Sequence, residues 1–106
     1  MKNQKMTRPE ILEAARQCVC GDREQDYGSP ENNFQRIAEF WNAYFGNNGP
    51  LITCVDVAAM LALLKIARIA SGNAKMDNWI DLAGYAACGG ELEAMDLEEM
   101  GDLYEQ

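Results

Sequence analysis

The sequence predicts an all-α fold, a bundle of four to five helices. Three observations lead there. Apolar residues recur at three- and four-residue spacing in four segments. No segment alternates apolar and polar with a period of two, and β-branched residues are sparse. Helix-start signals and glycine-rich breaks bound the apolar segments on either side.

The first helix is predicted from about Thr7 to Val19. Thr7 stands as N-cap, Pro9 lies in the first turn where its missing N–H does no harm, and Gly21 is the stop. A charged loop, Asp22 to Gly28, follows. Ser29-Pro30-Glu31 then starts a second helix: a cap, a proline with its fixed φ, and an acid at the positive end of the dipole. Phe34, Ile37, Ala38, Trp41, Tyr44 and Phe45 share one side of it, and Asn32, Gln35, Arg36, Glu39 and Asn42 the other. Gly46-Asn47-Asn48-Gly49-Pro50 ends it. Thr53, with Asp56 three residues on, opens the third helix in the manner of a capping box. That helix is apolar nearly all round and is expected to be the central, most buried element. Ser71-Gly72-Asn73 breaks it. A fourth helix is expected from Met76 or Asp77 through Ala87, with Gly89-Gly90 ending or kinking it, and a further acidic helical piece from Glu91 to about Met100.

The 106 residues suit one domain, and 48% hydrophobic with 25% charged residues is the balance of an ordinary globular protein. The net charge of −8 is unevenly placed. Seven acids and no base lie in residues 91–106, while the other ten acids and all nine bases lie in residues 1–90. The division expected is a helical domain over 1–90 and an acidic helical extension or tail over 91–106. Such a balance argues against direct binding to the nucleic-acid backbone, which needs a basic surface. The chain holds four cysteines and no histidine, and Cys18 and Cys20 have the wrong spacing for a CxxC knuckle, so a structural zinc site is not expected. The longest uninterrupted apolar stretch, Val57 to Leu64, is far short of a membrane span, and the N-terminus is polar through Arg8. A cytoplasmic protein with reduced cysteines is the expectation.

Charge on apolar helices marks the candidate site. Lys65 and Arg68 lie three apart on the most apolar helix and project from nearly the same side. They either pair with carboxylates of the next helix or line an anion site, where Arg offers a planar fork to phosphate and Lys a point charge. Asp77, Asp81 and Tyr85 form one stripe, with Asn78 a turn before Asp81. Two carboxylates a turn apart, Asp77 and Asp81, would share a magnesium ion (Mg2+), although Asp77 also reads as a helix cap. Asp81 lies a turn inside the helix and needs a cation: Lys65, Arg68 or a metal. Gly84 implies close approach of another helix or of a ligand, because glycine lowers helix stability by roughly 1 kcal/mol against Ala. Arg23 and Tyr27 stand just ahead of the second helix, whose N-terminus favours anions, and Asn32 and Asn33 occupy its first turn. The same residues also read as a well-made cap with polar decoration.

These residues carry a resemblance. The blocks GDRxxDYGxPxxNFxRIAxxWxxY, DVAxMxxLLKxAR and DNWxDxAGYAA read here as Gly21–Tyr44, Asp56–Arg68 and Asp77–Ala87. They resemble the hallmarks of a family of small proteins common in tailed phages and prophages, over about Ile11 to Gly90. The resemblance implies a phage- or prophage-encoded protein in a bacterial host cell, and leaves its activity open. More distantly, the layout is similar to the all-α nucleotide pyrophosphohydrolases of the MazG and dimeric dUTPase group. Those enzymes hold magnesium with acids on two facing helices, an ExxE followed by an ExxD, and split a nucleoside triphosphate into monophosphate and pyrophosphate. They are dimers or tetramers. In this chain Asn78-Trp79-Ile80-Asp81 stands at the ExxD: Asp81 matches and Asn78 departs. The second helix offers Glu31 and Glu39, with Asn32, Asn33 and Arg36 between, and no clear ExxE.

Three functional readings follow. A MazG-like enzyme would orient water with Glu31 or Glu39 and hold magnesium on Asp81 and Asp77. Lys65, Arg68 and Arg23 would neutralise charge, and Tyr27, Trp41 or Tyr85 would stack on the base. A non-catalytic binder would use the same cations and aromatics to sequester a nucleotide-like molecule, such as a signalling nucleotide. A structural or partner-binding phage protein would spend all these charges on interhelical ion pairs. Independently, Phe40, Trp41, Tyr44 and Phe45 spread round a wide arc of the second helix, and four helices cannot cover both that arc and an all-apolar third helix. A homo-oligomer, dimer or higher, is therefore expected.

Overall fold

The computed structural model describes residues 5–21, 29–72 and 75–105. Among them are four helices and no strand: α1 (Arg8–Cys20), α2 (Pro30–Tyr44), α3 (Cys54–Ala70) and α4 (Met76–Glu105). The predicted starts of α1, α2 and α3 are in use, whereas α4 begins at Met76, so Asp77 lies inside its first turn and is not its cap. Thr7 and Glu10 form a reciprocal capping box on α1: the Thr7 N–H donates to the Glu10 carboxylate at 2.8 Å, and the Glu10 N–H to Thr7 Oγ1 at 3.4 Å. Ser29 caps α2, with Pro30 at its first position. Thr53 and Asp56 repeat the capping box on α3, with bonds of 2.9 and 3.2 Å.

After α2 the chain turns through Gly46 and Asn47, both left-handed at φ 71° and 59°, which glycine and asparagine tolerate best. Asn42 then fastens the returning strand of chain. Its side-chain N–H₂ donates to the Ile52 carbonyl and its Oδ1 accepts from the Ile52 N–H, each at 2.9 Å.

The most extensive packing is between α3 and α4, then α1 on α4 and α2 on α3. The core gathers Phe34 and Ala38 of α2, Val57 and Ala58 of α3, and Cys88 and Leu92 of α4. Two glycines of α4 let neighbours in. A Cβ on Gly84 would stand 3.0 Å from Val19 Cγ1 of α1, and one on Gly89 would stand 3.1 Å from the Cβ of Ala58. Close helix approach therefore accounts for Gly84.

Two expectations are corrected. Helix α4 does not end or kink at Gly89-Gly90 but runs unbroken to Glu105. Each glycine lowers helix stability by only about 1 kcal/mol, and the contact with Ala58 offsets that at Gly89. Nor is α3 the most buried element. Only Val57 and Ala58 are buried on it, while Met60, Leu63, Leu64 and Ile66 are exposed, Leu63 to 62%. The other helices cover one side of α3 and leave its opposite side bare. Tyr44 and Phe45, assigned to the apolar side of α2, are also exposed.

The molecule is elongated, 57 × 33 × 24 Å, with a radius of gyration of 16.1 Å. A compact domain of this length would have a radius near 13 Å. The 30-residue α4 alone spans about 45 Å. Among the described residues no helix is long and apolar enough to cross a membrane.

Candidate functional site

The α3–α4 hairpin is antiparallel, and two contacts set its register. Ala58 meets Gly89 near one end, and Lys65 meets Asp81 seven residues further along α3. The Lys65 Nζ lies 3.0 Å from Asp81 Oδ2, with the two side chains 13% and 31% exposed. Burying two opposite charges to this degree is tolerable because each neutralises the other at contact distance. The cation that Asp81 requires is thus Lys65.

The same register places Arg68, three residues beyond Lys65, level with Asn78, three residues before Asp81. Arg68 is exposed and makes no ion pair among the described residues. Asn78 is buried to 7% exposure, the one buried polar residue among those described. Asp77 begins the stripe and is exposed. At the stripe's other end Tyr85 is half-buried, its ring centroid 6.5 Å from that of Phe34. Phe34 lies one turn into α2, so the α2 N-terminus with half-buried Asn33 is close to Tyr85. The constellation therefore comprises Lys65, Arg68, Asn78, Asp81 and Tyr85 along the hairpin, with Asn33 beside it.

Other expected site residues stand apart. Glu31, Asn32, Arg36 and Glu39 are exposed on α2, and Arg36 and Glu39 point away from the face that buries Phe34 and Ala38. Arg23 and Tyr27 lie outside the described residues. Among the described residues no three acids or thiols gather closely enough to hold a metal ion, Asp81 is occupied by Lys65, and an amide stands at Asn78.

Electrostatic perturbation is concentrated elsewhere, on exposed α1. Arg16 donates to Glu13 at 2.7 and 3.0 Å and Gln17 adds a third bond, which holds the Glu13 carboxyl down from 4.5 to about 2. Sequence reasoning missed two concavities. One, of about 370 Å³, is lined by Asn42, Phe45, Asn47, Asn48, Pro50, Ile52 and Met60. The other, of about 210 Å³, runs between α3 and α4 beside Tyr85 and is floored by small residues, Ala58, Ala59, Ala62, Ala86, Gly89 and Gly90. The density of small residues was its only signal in the sequence.

Comparison with known proteins adds the following. The family described as a domain of unknown function (DUF6378) matches residues 10–93. The Gene 55 protein of Mycobacterium phage L5 is 45% identical over 89 residues, covering 84% of this chain and 54% of that protein. The Gene 55 protein of Mycobacterium phage D29 is 38% identical over 78 residues, covering 74% of this chain and 50% of that protein. The chain thus spans about half the length of the curated relatives it matches. No solved structure matches it.

Proposed function

This chain belongs to the DUF6378 family, a family with phage members, and on that premise we propose that it is a phage protein that holds a nucleotide-like anion on the α3–α4 hairpin without cleaving it. The observation that carries the reading is the unequal charge count at one level of the hairpin. Lys65 is neutralised by Asp81, while Arg68, one turn on and level with buried Asn78, keeps its charge. A planar guanidinium at the level of a buried carboxamide offers donors for phosphate oxygens. Tyr85, held against Phe34, supplies an aromatic face for a base. Lys65 and Asp81 act as positioning residues that fix the two helices in register. Binding without hydrolysis is the better reading because the acids a hydrolase would need, Glu31 and Glu39, sit exposed on α2.

A purely structural reading has one observation in its favour: the Lys65–Asp81 pair is already closed, as an interhelical clamp would be. Arg68 separates the two readings, since it is exposed and its removal leaves the clamp intact. The experiment is calorimetry and native mass spectrometry of the chain against nucleoside mono-, di- and triphosphates, with magnesium and with chelator. Expected is binding that survives chelator, intact ligand on recovery, and affinity reduced roughly 10- to 100-fold by Arg68→Ala with an unchanged melting temperature. No binding to any nucleotide, or binding indifferent to Arg68→Ala, would refute the proposal. Magnesium-dependent release of pyrophosphate would replace it with the hydrolase reading.

A further inference from the structure

We propose that the bare face of α3 is a two-fold interface with a second copy of this chain. The face is continuous. Ala59, Met60, Leu63, Ile66, Ala67 and Ala70 follow one another round the side of α3 opposite Val57 and Ala58, and all six are exposed. No charged residue interrupts them, and Asp56 lies only at the N-terminal rim. Contiguous apolar patches of more than a few hundred Å² are rare on monomers and mark interaction surfaces.

The area agrees. The chain exposes 8159 Å². A compact monomer of its 11.8 kDa mass would expose about 5,900 Å². The surplus, roughly 2,200 Å² over the whole chain and including the protruding end of α4, is larger than the ~800 Å² that each partner contributes to a standard interface.

The order of side-chain sizes selects a second copy as the occupant. When two α3 helices run antiparallel about a two-fold axis at Leu63, Leu63 faces its own equivalent. Met60 then faces Ile66 and Ala59 faces Ala67, so large meets large and small meets small over the centre of the seam, while at each end Ala70 faces the partner's Asp56. Such a self-matching pattern is what an isologous interface requires, where one patch serves both partners. The small-residue groove between α3 and α4 adjoins this seam through Ala59 and leaves room for the partner helix to approach closely. The pairing also restores the burial that an all-apolar helix demands, with α2 and α4 on one side and the second α3 on the other.

The test is light scattering with size-exclusion chromatography, and sedimentation velocity, on the wild-type chain at micromolar concentration. A mass twice 11.8 kDa is expected. Leu63→Glu is expected to raise the dimer dissociation constant about 100-fold or more, because two buried leucines per dimer become charged. Its helical circular dichroism should be retained, since Leu63 is exposed in the single chain. Leu63→Cys, oxidised and mapped by mass spectrometry, is expected to give a disulfide linking position 63 of both chains, which also decides the matter should Leu63→Glu fail to fold. A wild-type monomer, a Leu63→Glu dimer as tight as wild type, or a dimer of Leu63→Cys without that cross-link would overturn the proposal.

Discussion

Neighbouring glycines in the middle of α4 should respond oppositely to the same substitution. Gly89 and Gly90 are both helical, so alanine at either gains about 1 kcal/mol of helix propensity. At Gly90 the new methyl meets nothing within 4 Å, and the full gain should appear. At Gly89 it would stand 3.1 Å from the Cβ of Ala58. That atom has no rotamer to retreat into, and Ala58 is 2% exposed and backed by the core. The α3 backbone must therefore shift, and overpacking of this kind costs about 1–3 kcal/mol. Gly89→Ala is expected to be net destabilising by about 1 kcal/mol, which puts the two variants about 2 kcal/mol apart. For a domain of this size that is a gap in Tm of about 10 °C, Gly90→Ala above wild type and Gly89→Ala below. Thermal melts by circular dichroism at one fixed protein concentration measure it; the concentration is held because association would add to stability. Equal gains from both variants would show that α3 and α4 do not meet at this level. Losses from both would show that α4 is broken at the glycines after all.

Other outcomes follow from the same geometry. Asn42→Ala removes both hydrogen bonds to Ile52 and should cost about 1–3 kcal/mol, read as a lower urea midpoint with an unchanged m-value. Lys65→Met leaves the half-buried Asp81 carboxylate unpaired and should destabilise by about 1–2 kcal/mol, less than a fully buried pair because Asp81 keeps some water. The double variant Lys65→Met, Asp81→Leu should recover most of that loss in the same assay, and failure to recover would mean the pair is not what joins the helices there. Because Glu13 has its folded-state carboxyl lowered from 4.5 to about 2, its contribution to α1 is present above pH 4.5 and fades as pH falls toward 2. Urea midpoints followed over that window should decline more in wild type than in Glu13→Gln.

The sequence alone determined the all-α class, the starts of the three N-terminal helices to within a residue or two, and the turn after Tyr44 that separates the second from the third. Those features are written locally. Thr7 with Glu10, Ser29 with Pro30, and Thr53 with Asp56 each act within one helical turn, so their geometry does not depend on the rest of the chain. The three motif blocks were legible for the same reason, as fixed local spacings. What required the tertiary structure was every question of which face meets which. The sequence showed that Asp81 needed a cation but not that Lys65, and not Arg68, was the one, because the choice depends on the register of two helices set by contacts such as Ala58 on Gly89. It showed an apolar α3 but not that half of it stays bare, because burial is decided by how many neighbours arrive and from which side. And it read Gly89-Gly90 as an end or a kink, since a local signal of about 1 kcal/mol per residue is all that a sequence displays, whereas the packing that overrides it comes from Ala58 on another helix.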